Sequence, residues 1–123
     1  MLQEVPNIRQ VPGEDRRRWF ASDDIELTVW FNGDGISGFE LCYGKGDRER
    51  AVRWLRGAGF RHGRVDDGEG RPGRYKSAPV LLADGALDAK KLSRLFRENS
   101  RDMDDRLAEF VYQKLQAYPS SPR

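Results

Sequence analysis

The sequence predicts an α+β fold, an antiparallel sheet of four to five strands followed by two C-terminal helices packed on one face. Two observations carry this. Strand-like patterns lie before residue 84 and helix-like ones after it, an order of runs and not the alternation that builds a parallel βαβ sheet. Residues 16–43, RRRWFASDDIELTVWFNGDGISGFELCY, hold two apolar-alternating runs joined by a glycine-punctuated turn, the pattern of a central hairpin. A chain of 123 residues buries a core without staples, so a single domain over 1–123 is expected.

Residues 1–15 contain Pro6, Pro12 and Gly13 and show no periodicity. They read as an irregular arm, laid against the body through Val5, Ile8 and Val11. A first short strand is expected over 16–21, and Ser22-Asp23-Asp24 supplies short polar side chains suited to a turn. From Ile25 to Asn32, Ile25, Leu27, Val29 and Phe31 share one face while Glu26, Thr28, Trp30 and Asn32 share the other. Asn32-Gly33-Asp34-Gly35 tolerates positive φ, and the return strand over 36–43 turns Phe39, Leu41 and Tyr43 to the core. Residues 50–56 fit either a short helix or a strand. Val52 and Trp54, with a Gly57-Ala58-Gly59 break close behind, favour a strand, and 60–65 pairs back on it. Residues 66–76, DDGEGRPGRYK, read as a surface loop, and Val80-Leu81-Leu82 as a buried strand.

The helical region spans 87–118. Asp88 is placed as an N-cap, with Leu87 and Leu92 as a hydrophobic staple. Leu92, Leu95 and Phe96 form one stripe, closed by Asn99-Ser100. In the second helix Met103, Leu107, Phe110, Val111, Leu115 and Tyr118 recur on one face behind Asp102, Asp104 and Asp105, acids that suit a helix start. Pro119 ends the helix and 119–123 read as a tail.

The single cysteine, Cys42, rules out an intrachain disulfide and suits a reducing compartment. The opening MLQEVPNIRQVPGEDRRR has no secretory apolar stretch, and no run reaches membrane length, so a soluble cytoplasmic protein without a membrane partner is expected. The net charge of +2 divides unevenly: −4 over residues 1–43, +5 over 44–76 and +1 over 77–123. Arginine supplies 17 of the 22 cations, a choice that suits forked contacts to phosphate or carboxylate and equally fits codon bias in a GC-rich genome. Neither common glycine-rich phosphate loop is present.

The segments PGEDRRRWFASDDIELTVW, FELCYGK, RVDDGEG and LLADG resemble those of a family of small uncharacterised bacterial proteins. The resemblance covers most of the chain. It implies a bacterial cytoplasmic origin and a strand over 50–55, and it carries no activity, cofactor or site residue.

Four constellations bear on function. In HGRVDDGE, His62, Arg64, Asp66, Asp67 and Glu69 place an imidazole beside carboxylates, a set for acid–base work or for a hard cation. The spacing of a calcium loop is absent, and charged glycine-rich loops are ordinarily solvated turns. Cys42 with His62 would make a thiolate nucleophile if the strands brought them together; an inert buried cysteine is the plainer expectation. Arg16-Arg17-Arg18-Trp19 and the arginines at 48, 50, 53, 56, 61, 64, 71 and 74, interleaved with Trp54, Phe60 and Tyr75, fit a groove that tracks phosphates and stacks bases. The modest net charge and the missing RNA-recognition signature oppose that reading. Last, the sheet face opposite the helices carries Trp30, Thr28, Glu26, Glu40 and Cys42. An indole there invites a partner or a second subunit, unless the N-terminal arm covers it.

The reading favoured is an interaction or regulatory module without catalytic residues, metal or cofactor, binding a protein partner or itself. Its surface is the face around Trp30 and the basic 48–76 region, with Arg53, Trp54, His62, Arg64, Asp66, Asp67 and Glu69 as binding candidates. A small metal-dependent hydrolase at 62–69 and nucleic-acid binding through 48–76 are the alternatives.

Overall fold

Seven strands precede two helices in the computed structural model, which describes residues 1–33, 35–44, 49–66, 80–83 and 87–118. The strands are β1 (Gln3–Glu4), β2 (Arg16–Ala21), β3 (Ile25–Asn32), β4 (Gly35–Tyr43), β5 (Arg50–Leu55), β6 (Gly59–Asp66) and β7 (Val80–Ala83). They form one antiparallel sheet in sequence order, each strand bonded to the next, and α1 (Ala89–Asn99) and α2 (Asp105–Gln116) follow. The α+β class is as expected from the sequence, with more strands than the expected four to five. Six have four or more residues, and β1, the two-residue extra, has no alternation of its own. Residues 50–55 are strand, paired on both sides.

The alternation read in residues 25–43 sets the two faces. Ile25, Leu27 and Val29 lie opposite Tyr43, Leu41 and Phe39, and the rows continue through Val52 and Trp54 on β5. All but Tyr43 are buried, and with Leu92, Phe96, Leu107, Val111 and Leu115 of the helices they form the core. Burying such side chains stabilises by about 1.5–3 kcal/mol each, which is why two amphipathic helices settle on this face. Asp88 caps α1 by accepting from Lys91 N at 3.1 Å, and Asp104 caps α2 by accepting from Leu107 N at 3.0 Å. Asp102 lies before the second helix and takes no part in its cap.

The helices are located by contacts at their ends. Leu2, fully buried, donates its backbone N–H to Asn99 O at 2.7 Å, tying the chain start to the end of α1. At the far end of α2, Tyr118 stacks edge-on against Phe60 of β6 with centroids 5.1 Å apart. Leu2 is thus the main anchor of the N-terminal segment; Val5, Ile8 and Val11 are only half-buried. Glu4 and Arg18 add a fork, with Arg18 Nε and Nη2 donating to the two carboxylate oxygens at 2.9 and 2.7 Å.

Two irregularities shape the Trp30 end of the sheet. Between Trp30 and Phe31 the register slips, so that Phe31 faces Ile36 while Trp30 faces Gly38, and Ser37 is left over as a bulge. Gly38 also sits where β5 leaves no room for a side chain. A Cβ there would lie 2.6 Å from Leu55 Cδ2 and 2.7 Å from the Trp54 carbonyl oxygen.

Replacing Gly38 by alanine is therefore expected to destabilise the protein by about 1–3 kcal/mol in urea unfolding, as overpacking does. Gly35→Ala, whose Cβ meets nothing closer than Asn32 O at 3.9 Å, should stay within about 0.5 kcal/mol of the parent. The hydrogen bond from Arg18 holds the Glu4 carboxyl below the usual carboxylate range. A lowered folded-state value stabilises at pH above the ordinary carboxylate value and is lost as pH falls through the lowered one. Glu4→Gln should thus cost less than about 1 kcal/mol near pH 7, since the pair is exposed, and the difference should vanish once both forms are neutral, well below about pH 4.

Candidate interaction surface

Side chains that point away from the helices form three rows across the middle strands. One row runs Arg17, Trp30, Gly38, Leu55; the next Trp19, Thr28, Glu40, Arg53, Arg61; the third Ala21, Glu26, Cys42, Ala51, Gly63. The third row is closed at one end, where Cys42, Ala51 and Gly63 are buried. The first two open around the half-buried indoles of Trp19 and Trp30, diagonal neighbours on β2 and β3.

At the centre lies a buried ion pair. Glu40, 3% exposed, accepts from Arg53 Nε at 2.8 Å through Oε1, and Cys42 Sγ donates to Oε2 at 3.6 Å. Cross-strand register places the pair, since Glu40 and Arg53 stand directly opposite on β4 and β5. A carboxylate so engaged positions and neutralises its arginine; it is poorly placed to move protons.

Beside the pair a shallow, open groove of about 810 Å³ runs along the Trp30 end. Trp30, Ile36 and Leu55 contribute apolar surface, Arg53 and Arg56 stand on one wall, and Glu14 and Asp15 stand on the other. Next to the groove, Arg17 of β2 ties the N-terminal segment to the sheet. Arg17 Nε and Nη2 donate to Arg9 O at 3.1 and 2.9 Å, while Gln10 exchanges two hydrogen bonds with the Arg17 backbone. Burial moves the Arg17 guanidinium below its ordinary value, with the nearby Glu14 carboxylate opposing. The segment that could have covered Trp30 thus builds a wall beside it. Arg56, at the turn after β5, donates from Nε and Nη2 to Ile36 O at 3.2 and 2.7 Å, which fixes the opposite wall to β4.

The other sequence-derived candidates divide between the faces. Trp54 does not join Arg53. It is buried on the helix side, 6.1 Å from Phe39 and 5.5 Å from Phe110 between ring centroids, with Lys114 Nζ 4.5 Å from its own. His62 and Arg64 also face the helices. The strand arginines split two and two, Arg53 with Arg61 away from the helices and Arg50 with Arg64 towards them, so β5 and β6 present no single arginine face. His62 Nε2 lies 2.6 Å from Tyr43 Oη, and the two rings stack 6.0 Å apart. Cys42 is on the opposite face from His62, so the sheet itself separates that thiol from that imidazole. Asp66 ends β6; Asp67 and Glu69, with Arg48, Arg71, Arg74 and Tyr75, lie outside the described residues. Among the described residues no group of three or more His, Cys, Asp or Glu side chains converges as a metal site would require.

Sequence reasoning missed Glu14 and Asp15 and gave Arg56 only as one of a row of arginines, because their place depends on how a non-periodic segment and a turn close on the sheet. The contact of Tyr43 with His62 was missed as well: parity puts both on the helix side, but only the register of β4, β5 and β6 brings them together. No family model, curated protein or solved structure matches the chain.

Removing the Glu40 carboxylate takes away the partner that meets Arg53, whose side chain is 14% exposed, at 2.8 Å. Glu40→Ala is expected to lower stability by about 3 kcal/mol in denaturant unfolding. The double change Glu40→Leu with Arg53→Met should recover most of that loss, because two apolar groups of similar volume need no pairing.

Proposed function

We propose that this protein is a non-catalytic interaction module of the bacterial cytoplasm, working as a homodimer through the sheet face around Trp30. The observation that carries the reading is the groove itself: an apolar strip with an acidic wall, Glu14 and Asp15, facing a wall whose basic charge comes from Arg56, since Glu40 neutralises Arg53. A surface with opposite charges on its two sides is self-complementary about a two-fold axis, because each acidic wall then meets the partner's basic one. Arg61, exposed on the same face, adds to the basic side. Trp19 and Trp30 supply the aromatic anchors that interfaces concentrate at their centres. A lone buried thiol, Cys42, accords with a reducing compartment. Among the described residues no helix is long and apolar enough to cross a membrane. The division of the strand arginines between two faces favours this reading over a phosphate-tracking groove.

Size-exclusion chromatography with light scattering tests the proposal. The parent is expected to run as a dimer at tens of micromolar, and Trp30→Ala as a monomer, an anchor typically contributing about 2 kcal/mol or more. The sharper test uses charge reversal. Glu14→Lys/Asp15→Lys and Arg56→Glu/Arg61→Glu should each be monomeric alone and form a heterodimer when mixed. A parent that stays monomeric at millimolar concentration, or reversed variants that never pair, would sink the dimer.

A further inference from the structure

The outer border of β2 is closed by a side chain. Hydrogen-bonded pairs alternate along an antiparallel ladder, and Ser22 N donating to Ile25 O sets the phase for β2 and β3. Arg16, Arg18 and Phe20 therefore bond β3, and the backbone groups of Arg17, Trp19 and Ala21 turn outward. Ala21 lies opposite Gln3 of β1, and Trp19 O accepts from Val5 N at 2.8 Å. The ladder then stops, because Pro6 has no N–H and Asn7 takes a left-handed φ of 57°. At Arg17 the Gln10 side chain stands in for the missing strand. Its Nε2 donates to Arg17 O at 2.9 Å, and its Oε1 accepts from Arg17 N at 2.8 Å. A primary amide presents both the donor and the acceptor of a peptide group, which is why glutamine fits there.

We propose that residues 6–15 form a strap latched by Gln10, and that this latch governs the dimer surface. The inference rests on the dimer argued above and names what controls it. The acidic wall rides on the strap. Glu14 N donates to Val11 O at 3.0 Å, and Gly13 turns the chain there with a φ of 87°, so the place of Glu14 depends on how residues 9–11 are held. Arg17 adds a second hold by donating twice to the carbonyl of Arg9, the residue before Gln10. These bonds carry weight because Ile8 and Val11 of the strap are only half-buried and contribute little apolar burial. Gln10 itself is exposed, so its loss opens the border without touching the core. With the latch open, Arg17 N and O turn to water and the strap gains conformational freedom that dimerisation must then remove. The acidic wall no longer meets the second copy's basic side in one fixed place.

Amide hydrogen exchange by NMR and sedimentation equilibrium of the full chain test it. In Gln10→Ala the Arg17 amide should exchange about tenfold faster than in the parent or more, while the Arg18 amide, bonded to β3, keeps the parent rate. The same variant should dimerise about fivefold more weakly or worse, because the wall is no longer held in place. Glu14→Gln/Asp15→Asn carries an uncharged wall. Adding Gln10→Ala to it should weaken that dimer by less than about twofold further, since the latch acts through the wall. The strap is overturned if the Arg17 amide of Gln10→Ala exchanges at the parent rate, or if it opens there and the variant still dimerises as tightly as the parent. A full loss repeated on the uncharged wall overturns it too. A parent that is monomeric at millimolar concentration overturns the dimer itself, and the control exerted by the strap falls with it; a dimeric parent whose affinity Gln10→Ala leaves unaltered overturns the strap alone.

Discussion

Each residue of a pleated strand commits its side chain to one face of the sheet, and that constraint organises this protein. The aliphatic positions of β3, matched in register by Phe39 and Leu41 on β4 and by Val52 and Trp54 on β5, make one face that only a packed layer can cover. The two helices supply that layer. The same commitment sends Trp30, Glu40 and Arg53 to the other face and holds Cys42 away from His62 across the thickness of the sheet. No local rearrangement transfers one residue between faces without carrying its whole strand along.

The two faces handle charge differently. Away from the helices, an acid and an arginine opposite each other are buried together, and their neutralisation lets apolar groove surface sit next to them. On the helix side, Arg50 borders a groove that admits solvent, where Lys91 and Arg94 of α1 stand among Asp88 and Glu98. One arrangement completes itself within the chain. The other mixes both signs at a solvated surface.

Much of this was legible in the sequence, for reasons that name themselves residue by residue. Residues 25–32 alternate without interruption, so strand and facing follow from composition alone. Asp88 and Asp104 are caps because short acceptor side chains precede apolar stripes. Val52 and Trp54, two apart, share the core face and settle the ambiguity over 50–56 in favour of strand. What could not be read depends on register and long-range closure. The bulge at Ser37 has no marker in ISGFE, the pairing of Gln3–Glu4 with Ala21 and Phe20 rests on a distant anchor at Leu2, and Arg53 finds Glu40 only after the hairpins are aligned. The arginines between 50 and 64 read as one basic surface; strand parity divides them between two.

The sheet is a meander whose described margins are its two shortest strands, two residues at β1 and four at β7. Short borders expose few unsatisfied backbone donors and acceptors, so they offer a poor template for a neighbouring chain to extend the ladder. Encounters between molecules are thereby steered away from edge-to-edge growth, the route to fibres, and towards contacts through side chains. Because every strand pairs with its immediate predecessor, the sheet also zips together through nearby partners, which shortens the interval in which half-paired strands lie open to misassembly.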